Sequence, residues 1–312
     1  MVAGPLKQKG RVAVLLGGWS SEREVSLNSG KNVAKVLRGL GYEIAEIDVQ
    51  KDLRHFTDAL YNFKPDFVFN ILHGSGGEDG IVQGVLEMYG VPYSGSSVLG
   101  SALTFNKSVC KKLARFSGIR VADWIDIKAS EIPDINTKSG KNVPFPFIVK
   151  PSANGSSVGV YLIFGEDDLS KLKEVDWTFG DDVMLEKYIP GREFTVMALN
   201  GKTVGGLEIR SKAEFYDYSS KYDVGGSVHI PNFEVDKSVK QELYSVTGTA
   251  YDICHCSGVA RADFRYDGEN VYFLEINTQP GMTELSLVPD IARANGISIE
   301  ALIEAIVGAQ QR

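Results

Sequence analysis

Two polar segments near the C-terminal end of the chain carry residue types suited to metal and phosphate chemistry. Residues 271–277 (VYFLEIN) alternate like a β-strand and place Glu275 and Asn277 two residues apart. Residues 261–266 (RADFRY) alternate in the same way and carry Arg261 and Asp263. We expect the two segments to pair as an antiparallel hairpin, and an odd-length turn around 267–270 would put these four side chains on one face.

Such a face brings two carboxylates together, and neighbouring carboxylates repel each other unless a cation lies between them. An all-oxygen set of Asp263, Glu275 and Asn277 suits Mg²⁺ better than Zn²⁺. Mg²⁺ held by so few protein oxygens usually takes its other ligands from water and nucleotide phosphates. A surface salt-bridge cluster around Arg261 remains the alternative interpretation.

A second candidate is the small-residue loop VKPSANGSSVGV, which lies between two predicted strands. Its backbone N–H groups can surround a phosphate, and Lys150 adds a positive charge. Residues 155–159 (GSSVG) also match the nucleophile elbow of serine hydrolases, with Ser157 as nucleophile. That motif requires a helix after the turn, whereas residues 160–164 continue as a strand. A serine hydrolase and a plain flexible hairpin loop remain alternatives.

Two weaker candidates lie elsewhere. LEKYIPGRE (185–193) could read an adenine edge through backbone groups and a ribose through Glu193, or it could be an exposed charged linker. Glu22 lies in the first turn of a predicted helix, which Ser21 and Glu24 would open as a capping box. Glu22 could simply favour the helix dipole, or it could bind a substrate ammonium group.

The segments that carry these residues show two different patterns of secondary structure. Residues 1–100 alternate strand and helix signals, at 12–16, 42–49, 63–74 and 91–93 for the strands, which predicts an open parallel α/β sheet. The loops GGWSSERE and HGSGGEDG follow carboxyl ends of strands, where such sheets bind ligands. A helix is predicted at 104–117, followed by hairpin-rich α+β structure with a break near 190–191. The aromatic, glycine-rich loop 212–231 is long enough to be a lid.

Composition excludes several classes of function. The 312-residue chain has a net charge of −7 and no dense basic face, which argues against nucleic-acid binding. No run approaches the ~18 apolar residues of a membrane span, and we expect no membrane partner. Three cysteines make no disulfide framework and favour a reducing, cytoplasmic location. Cys254-His255-Cys256 could suggest a metal, but no second Cys/His cluster accompanies it.

The motifs, taken in order, resemble the D-alanine–D-alanine ligases of the ATP-grasp superfamily. They are LLGGWSSEREVSLNSG, LHGSGGEDG, VKPSANGSSVG, LEKYIPGREFTV, FYDYSSKY, ARADF and LEINTQPGMTELSLVP. The resemblance implies an N-terminal open parallel α/β domain followed by a two-domain ATP-grasp fold, divided at 1–102, 103–190 and 191–312. It also implies ATP, two D-alanine molecules, two Mg²⁺ ions with Mn²⁺ as a substitute, and a homodimer formed through the N-terminal domain.

The resemblance assigns roles at the nucleotide end of the site. Asp263, Glu275 and Asn277 would hold the two metal ions, with Glu275 bridging them. The implied contacts to phosphates, adenine and ribose are Lys107, Lys150, Ser156, Ser157, Glu186, Lys187, Ile189, Glu193 and Lys221.

The resemblance also assigns the amino-acid substrates. Glu22 would anchor the first ammonium, and Ser156 and Tyr222 would link Glu22 to the closing lid. The implied groups near the reacting carbon and the second substrate are Arg261, the Gly281 N–H, Ser286, the Leu287 N–H and His73, whose role is undefined.

Three points qualify the resemblance. Tyr222 within FYDYSSKY favours an amine nucleophile, although D-lactate or D-serine as the second substrate remains an alternative. A non-catalytic nucleotide-binding module is a third possibility, which a complete metal face disfavours. Trp19 is larger than the small residue expected in the first loop, and we expect it to touch a neighbouring loop.

Overall fold

A computed structural model describes residues 9–137, 143–155, 158–211 and 227–309. Within these residues the chain forms three sheets, one parallel and two antiparallel, with helices packed against them. No helix in the described part of the chain is both long enough and apolar enough to cross a membrane.

The N-terminal region is built on a parallel sheet, as predicted. Its strand order is β2-β1-β3, and the run Val12–Leu16 is buried because β1 lies between its two neighbours. An isolated parallel bridge joins Val68 to Tyr93 where a fourth strand was predicted. The elements of this region are β1 (Arg11–Gly17), α1 (Arg23–Gly39), β2 (Glu43–Val49), α2 (Leu53–Phe63), β3 (Phe67–Asn70) and α3 (Ile81–Tyr89).

The helix predicted at 104–117 is two helices, α4 (Val98–Phe105) and α5 (Lys107–Phe116). Asn106 interrupts them because its backbone is extended (φ −86°, ψ 100°) and its side chain accepts a hydrogen bond from the Val109 N–H at 3.1 Å. Asn106 is therefore the N-cap of α5. Because α5 begins at Lys107, this lysine lies in the first turn of the helix, one turn before Lys111.

The central antiparallel sheet has the order β4-β7-β5-β6. A 3₁₀ helix follows its first strand, and a short α-helix follows β6. The elements are β4 (Trp124–Lys128), the 3₁₀ helix (Ala129–Asp134), β5 (Phe147–Pro151), β6 (Tyr161–Ile163), α6 (Glu166–Lys173) and β7 (Asp182–Lys187).

The C-terminal antiparallel sheet has the order β10-β9-β8-β11-β12. Its elements and the following helices are β8 (Arg192–Leu199), β9 (Lys202–Ser211), β10 (Ser227–Ile230), α7 (Lys237–Ile253), β11 (Val259–Tyr266), β12 (Val271–Asn277), α8 (Leu287–Ala294) and α9 (Ile299–Ala309). The last two helices pack back on the first sheet, since Val288 and Ile303 share a buried cluster with Val14 and Val33. The core thus joins the two ends of the chain.

Candidate active site

The β11–β12 hairpin places the four predicted polar side chains in register. Arg261 pairs with Asn277, and Asp263 pairs with Glu275. The predicted shared face is confirmed, but the odd-length turn is wrong, because the turn between Tyr266 and Val271 has four residues. A register shift between Asp263 and Phe264 supplies the missing offset by leaving one extra residue in β12. A β-bulge therefore sets the face, since a shift of one residue exchanges the two sides of a strand.

Asp263 is held rigidly on this face. Arg261 donates from Nε to Oδ1 at 2.9 Å and from Nη2 to Oδ2 at 2.8 Å, a two-point guanidinium–carboxylate contact. The Thr195 hydroxyl on the adjacent strand β8 donates to Oδ1 at 2.7 Å. The Asp263 side chain is nearly buried, so these bonds fix the carboxylate where it faces the cleft.

Glu275 and Asn277 complete the face, and each has a polar neighbour. Lys107 Nζ is 3.3 Å from Oε2 of Glu275. Asn277 Oδ1 accepts a hydrogen bond from the Gln279 N–H at 2.7 Å, which orients the amide. The described residues contain no group of three or more His, Cys, Asp or Glu side chains placed as a metal cluster. The donor set here is instead two carboxylates and one amide, which suits a hard cation such as Mg²⁺.

Two adjoining cavities open beside this face. The larger has a volume of about 560 Å³, and the smaller about 100 Å³. Predicted residues that line the larger are Glu22, His73, Lys107, Glu193, Arg261, Asp263, Glu275, Asn277, Gly281, Ser286 and Leu287. Those that line the smaller are Lys107, Lys150, Glu186, Lys187, Ile189, Glu193, Asp263 and Glu275. Four predicted residues lie outside the described part of the chain, namely Ser156, Ser157, Lys221 and Tyr222.

Glu22 lies at the start of α1 and is almost fully buried in the larger cavity. The predicted capping box is wrong, because the helix begins at Arg23 with Glu22 rather than Ser21 at the N-cap position. The Glu22 N–H donates to the Ser20 hydroxyl at 3.1 Å, so Ser20 holds this turn. Gly155 lies against the Glu22 carboxylate: a β-carbon at Gly155 would be 2.1 Å from Oε2.

We expect Gly155→Ala to displace the Glu22 carboxylate. Because the added methyl group would overlap Oε2, the kcat/KM for a substrate whose ammonium group Glu22 is expected to bind should fall by about 10- to 100-fold. Gly165→Ala is the matched control in the same region, since a β-carbon there meets nothing within 4 Å. Steady-state kinetics of both variants test this, and an unchanged kcat/KM in Gly155→Ala would show that Glu22 does not position substrate.

His73 is 5% exposed and faces the same cavity. Its Nδ1 lies 3.5 Å from Oε1 of Glu78, and its buried Nε2 has no hydrogen-bond partner among the described residues. Burial opposes protonation of His73, but Glu78 and the charge of Glu22 outweigh it and raise the pKa of His73 above its usual value. Folding therefore strengthens proton binding by His73.

The raised pKa of His73 predicts a pH-dependent stability difference. The contribution is fully present below the pKa of unfolded histidine, about 6.5, and is lost as pH rises through the higher folded value. His73→Gln should therefore lower the free energy of unfolding more at pH 6 than at pH 8.5. Urea titrations at both pH values, with exposed His55→Gln as the control, measure this. An equal effect of His73→Gln at the two pH values contradicts the prediction.

The far end of the larger cavity is formed by the turn before α8. Ser286 Oγ accepts from the Thr283 N–H at 3.0 Å and lies 2.8 Å from the Thr283 hydroxyl. A β-carbon at Gly281 would be 2.8 Å from Ser286 Oγ, so the two chain segments touch here. Leu287 begins α8, and the first N–H groups of a helix have no partner within it. This end of the cavity can accept an anionic group.

The smaller cavity lies between β7 and the C-terminal hairpin. Lys150 Nζ donates to Oε2 of Glu186 at 2.6 Å, and Lys111 contacts the other carboxylate oxygen. Arg265 donates to the Ile189 carbonyl at 3.0 Å and to Oε2 of Glu193 at 3.1 Å. Those described residues that were predicted to contact a nucleotide are therefore brought together around this cavity.

Three further residues support this site, although the sequence patterns predict no role for them. Arg265 continues the alternation that selected Arg261 and Asp263, and this signal could have identified it. Lys111 is one helical turn after Lys107, but its burial has no sequence signal. Thr195 contacts Asp263 only because β8 pairs with β11.

Trp19 contacts a neighbouring loop, as expected. A β-carbon at Gly76 would be 2.1 Å from Cζ2 of Trp19, so the indole ring lies directly on the HGSGGEDG loop. The elbow pattern around Ser157 is followed by strand β6 rather than by the helix that a nucleophile elbow needs.

Two family models match the chain. The D-ala D-ala ligase N-terminus model matches residues 59–96, and the D-ala D-ala ligase C-terminus model matches residues 113–308, which is more than half of the chain. The chain belongs to the D-alanine–D-alanine ligase family. A family member from Parvibaculum lavamentivorans is 43% identical over 97% of this chain and 98% of its own length.

Solved structures of the family have the same fold. A D-alanine–D-alanine ligase from Bacillus anthracis is 34% identical, with a TM-score of 0.82 over 97% of both chains. The same enzyme complexed with ATP gives 32% identity and a TM-score of 0.80 over 97% of this chain and 98% of the other. A D-Ala:D-Ser ligase from Enterococcus faecalis is 26% identical, with a TM-score of 0.79 over 97% of this chain and 100% of the other. The predicted ATP-grasp architecture is confirmed.

Proposed function

We propose that the protein is an ATP-dependent ligase that joins two D-alanine molecules into D-alanyl-D-alanine for peptidoglycan synthesis. Membership of the D-alanine–D-alanine ligase family supports this directly. The observation that carries the chemistry is the β11–β12 face, where Asp263 opposes Glu275 at the junction of the two cavities. The lining of the smaller cavity suits contacts to a nucleotide, and the larger cavity has room for two small amino acids.

The reaction proceeds in two steps. The carboxylate of the first D-alanine attacks the γ-phosphorus of ATP, and an acyl phosphate and ADP form. The amine of the second D-alanine then attacks the acyl carbon, and inorganic phosphate leaves as the peptide bond forms. Phosphoryl transfer of this kind needs positioning and charge stabilisation more than covalent help from the protein.

Residues of the larger cavity bind the two amino-acid substrates and stabilise the reacting groups. Glu22 binds the ammonium of the first substrate, and its burial strengthens that ion pair. Arg261 and the Gly281 N–H stabilise the oxyanion that forms during amine attack. Ser286 and the Leu287 N–H, at the start of α8, bind the carboxylate of the second substrate.

In this proposal the nucleotide binds against the lining of the smaller cavity. Lys107 and Lys150 contact its phosphates, and Glu193 contacts its ribose. Glu186, Lys187 and Ile189 surround the adenine. Ser156, Ser157, Lys221 and Tyr222 keep the roles that the family resemblance gives them, as proposals for residues outside the described structure.

The donor set of Asp263, Glu275 and Asn277 fits Mg²⁺, with Mn²⁺ as a substitute. Two ions held by these residues would neutralise charge on the phosphates during transfer. The chain contributes by fixing the donors: Arg261 and Thr195 hold Asp263, and the Gln279 N–H holds Asn277.

D-alanine-dependent release of phosphate from ATP tests the proposed function. We expect release with D-Ala, none with L-Ala, and a product with the mass of the D-Ala dipeptide. Parallel reactions with D-serine and D-lactate define the second substrate, since a D-Ala:D-Ser ligase shares this fold. The absence of D-Ala-dependent phosphate release at saturating ATP and Mg²⁺ would refute the proposal.

We also propose a homodimer formed through the N-terminal domain. The exposed apolar side chains of Ile81 and Met88 on α3 and of Leu99 on the neighbouring helix α4 support it, because large exposed apolar groups on adjoining helices are typical of a surface that binds another chain. Sedimentation equilibrium should give twice the chain mass, and Met88→Glu should shift the protein toward monomer. A monomeric wild-type protein at micromolar concentration would contradict this assembly.

We also propose a cytoplasmic location and a division into three domains, at 1–102, 103–190 and 191–312. The separate three-, four- and five-stranded sheets of the described residues support the division. The thiols of Cys110 and Cys254 lie 3.8 Å apart without a disulfide, which is compatible with a reducing compartment.

A further inference from the structure

The α5 helix carries a lysine that lines neither cavity. Lys111 is fully buried, and its Nζ contacts Oε1 of Glu186 and donates to the Phe273 carbonyl at 3.2 Å. Glu186 belongs to β7 of the central sheet, and Phe273 belongs to β12 of the C-terminal sheet. A lysine in such surroundings is costly to bury unless a carboxylate accompanies it.

Glu186 receives a second lysine on its other oxygen. Lys150 Nζ donates to Oε2 at 2.6 Å, and Lys150, unlike Lys111, lines the smaller cavity. Two ammonium groups therefore share one buried carboxylate, and the three side chains carry a net charge of +1 when all are ionised. Burial opposes ionisation of Glu186, but the two lysines outweigh it and hold the pKa of Glu186 below its usual value. Burial lowers the pKa of Lys111, and Glu186 opposes that shift.

The arrangement matters for an anionic ligand. If Glu186 had Lys150 as its only partner, the pair would be neutral, and a phosphate could recruit Lys150 only by leaving Glu186 buried and unpaired. With Lys111 in place, Glu186 keeps a partner when Lys150 turns toward a phosphate. The uncompensated positive charge then lies on the residue that borders the cavity.

We propose that Lys111 is a positioning residue for nucleotide binding: it neutralises Glu186 and so leaves Lys150 available to a nucleotide phosphate. The proposal rests on the proposed function, because it assumes that a nucleotide occupies the smaller cavity. Lys111 touches no ligand and acts through Glu186. Its effect should therefore be larger for ligands that carry phosphate groups, because Lys150 borders the cavity and Lys111 does not.

Equilibrium dialysis of ADP and of adenosine, both in Mg²⁺ buffer, separates a phosphate effect from a general disturbance of the site. We expect Lys111→Met to weaken ADP binding roughly 10- to 100-fold while adenosine binding changes less than about 3-fold. Lys111→Arg keeps the charge and should retain most of the ADP affinity. Lys112→Met is the matched control, because Lys112 is exposed on the same helix and pairs with Asp126 at 2.9 Å.

A double variant tests whether Lys111 acts through Glu186. In the Glu186→Gln background no carboxylate needs neutralising, so adding Lys111→Met should leave ADP affinity unchanged, and this pair also serves if the single variant does not fold. Equal losses of ADP and adenosine affinity in Lys111→Met would overturn the proposal, as would a further loss of ADP affinity in the double variant. These binding readouts need no D-alanine turnover. Failure of the proposed ligase activity is therefore separable from failure of this proposal.

Discussion

We expect Glu275→Gln to lower kcat by about 10²-fold or more at millimolar Mg²⁺ while the protein keeps its fold. The substitution preserves the size of the side chain and removes the charge that opposes Asp263 across the hairpin. A single preorganised charged or polar group at a reacting centre is commonly worth 10²–10³ in rate. The change should also raise the Mg²⁺ concentration needed for half-maximal rate, because one anionic oxygen ligand is lost.

Two measurements separate a metal role from a local disturbance. Glu269→Gln removes the same charge from the exposed turn of the same hairpin and should leave kcat and the Mg²⁺ requirement unchanged. Lys107 also loses a partner in Glu275→Gln, since the two side chains lie 3.3 Å apart. An effect mediated by Lys107 alone would not depend on Mg²⁺. Retained turnover, or a loss that is independent of Mg²⁺ concentration, would contradict the metal assignment.

The polar face of the hairpin was predictable because strand alternation survives in the sequence as a pattern. The turn length and the bulge that produce this face were not predictable. Alternation in residues 261–277 predicts a shared face only with an odd-length turn, whereas the structure combines a four-residue turn with a bulge beside Phe264. A bulge changes no side-chain type, so the sequence pattern does not record it.

Two further features were not predicted from the sequence: the break between α4 and α5, and the burial of Lys111. Helical periodicity runs through 104–117, and it hides the N-cap at Asn106 that separates α4 from α5. Lys111 is a charged residue that any hydropathy pattern places on the surface, yet it is fully buried. Its burial becomes possible only when Glu186, 75 residues later, is folded against it. Roles for isolated positions such as Ser286 came from resemblance to a family and not from spacing.

The largest effect on stability should come from Gly191, which lies between β7 and β8. Its φ of +111° is in the left-handed region, and a β-carbon there would be 2.2 Å from the Tyr266 carbonyl oxygen and 3.1 Å from Asp267 Cα. Both neighbours are backbone atoms at the end of β11, so they cannot rotate away. Gly191→Ala should therefore destabilise the protein by about 3 kcal/mol or more, as the sum of backbone strain and overpacking.

Gly268 allows the two contributions to be separated. It lies in the turn between β11 and β12 with a φ of +105°, but a β-carbon there meets nothing within 4 Å. Gly268→Ala should thus show the strain alone, on the order of 1 kcal/mol, and the difference between the variants measures the collision. Calorimetric melting of both variants gives this comparison, and equal shifts would contradict the close approach. Gly191 lies in the connection between Glu186 and Glu193, the residues proposed to contact the nucleotide. Gly191→Ala should therefore also raise the KM for ATP more than the KM for the amino acid proposed to bind Glu22, which lies on a different element.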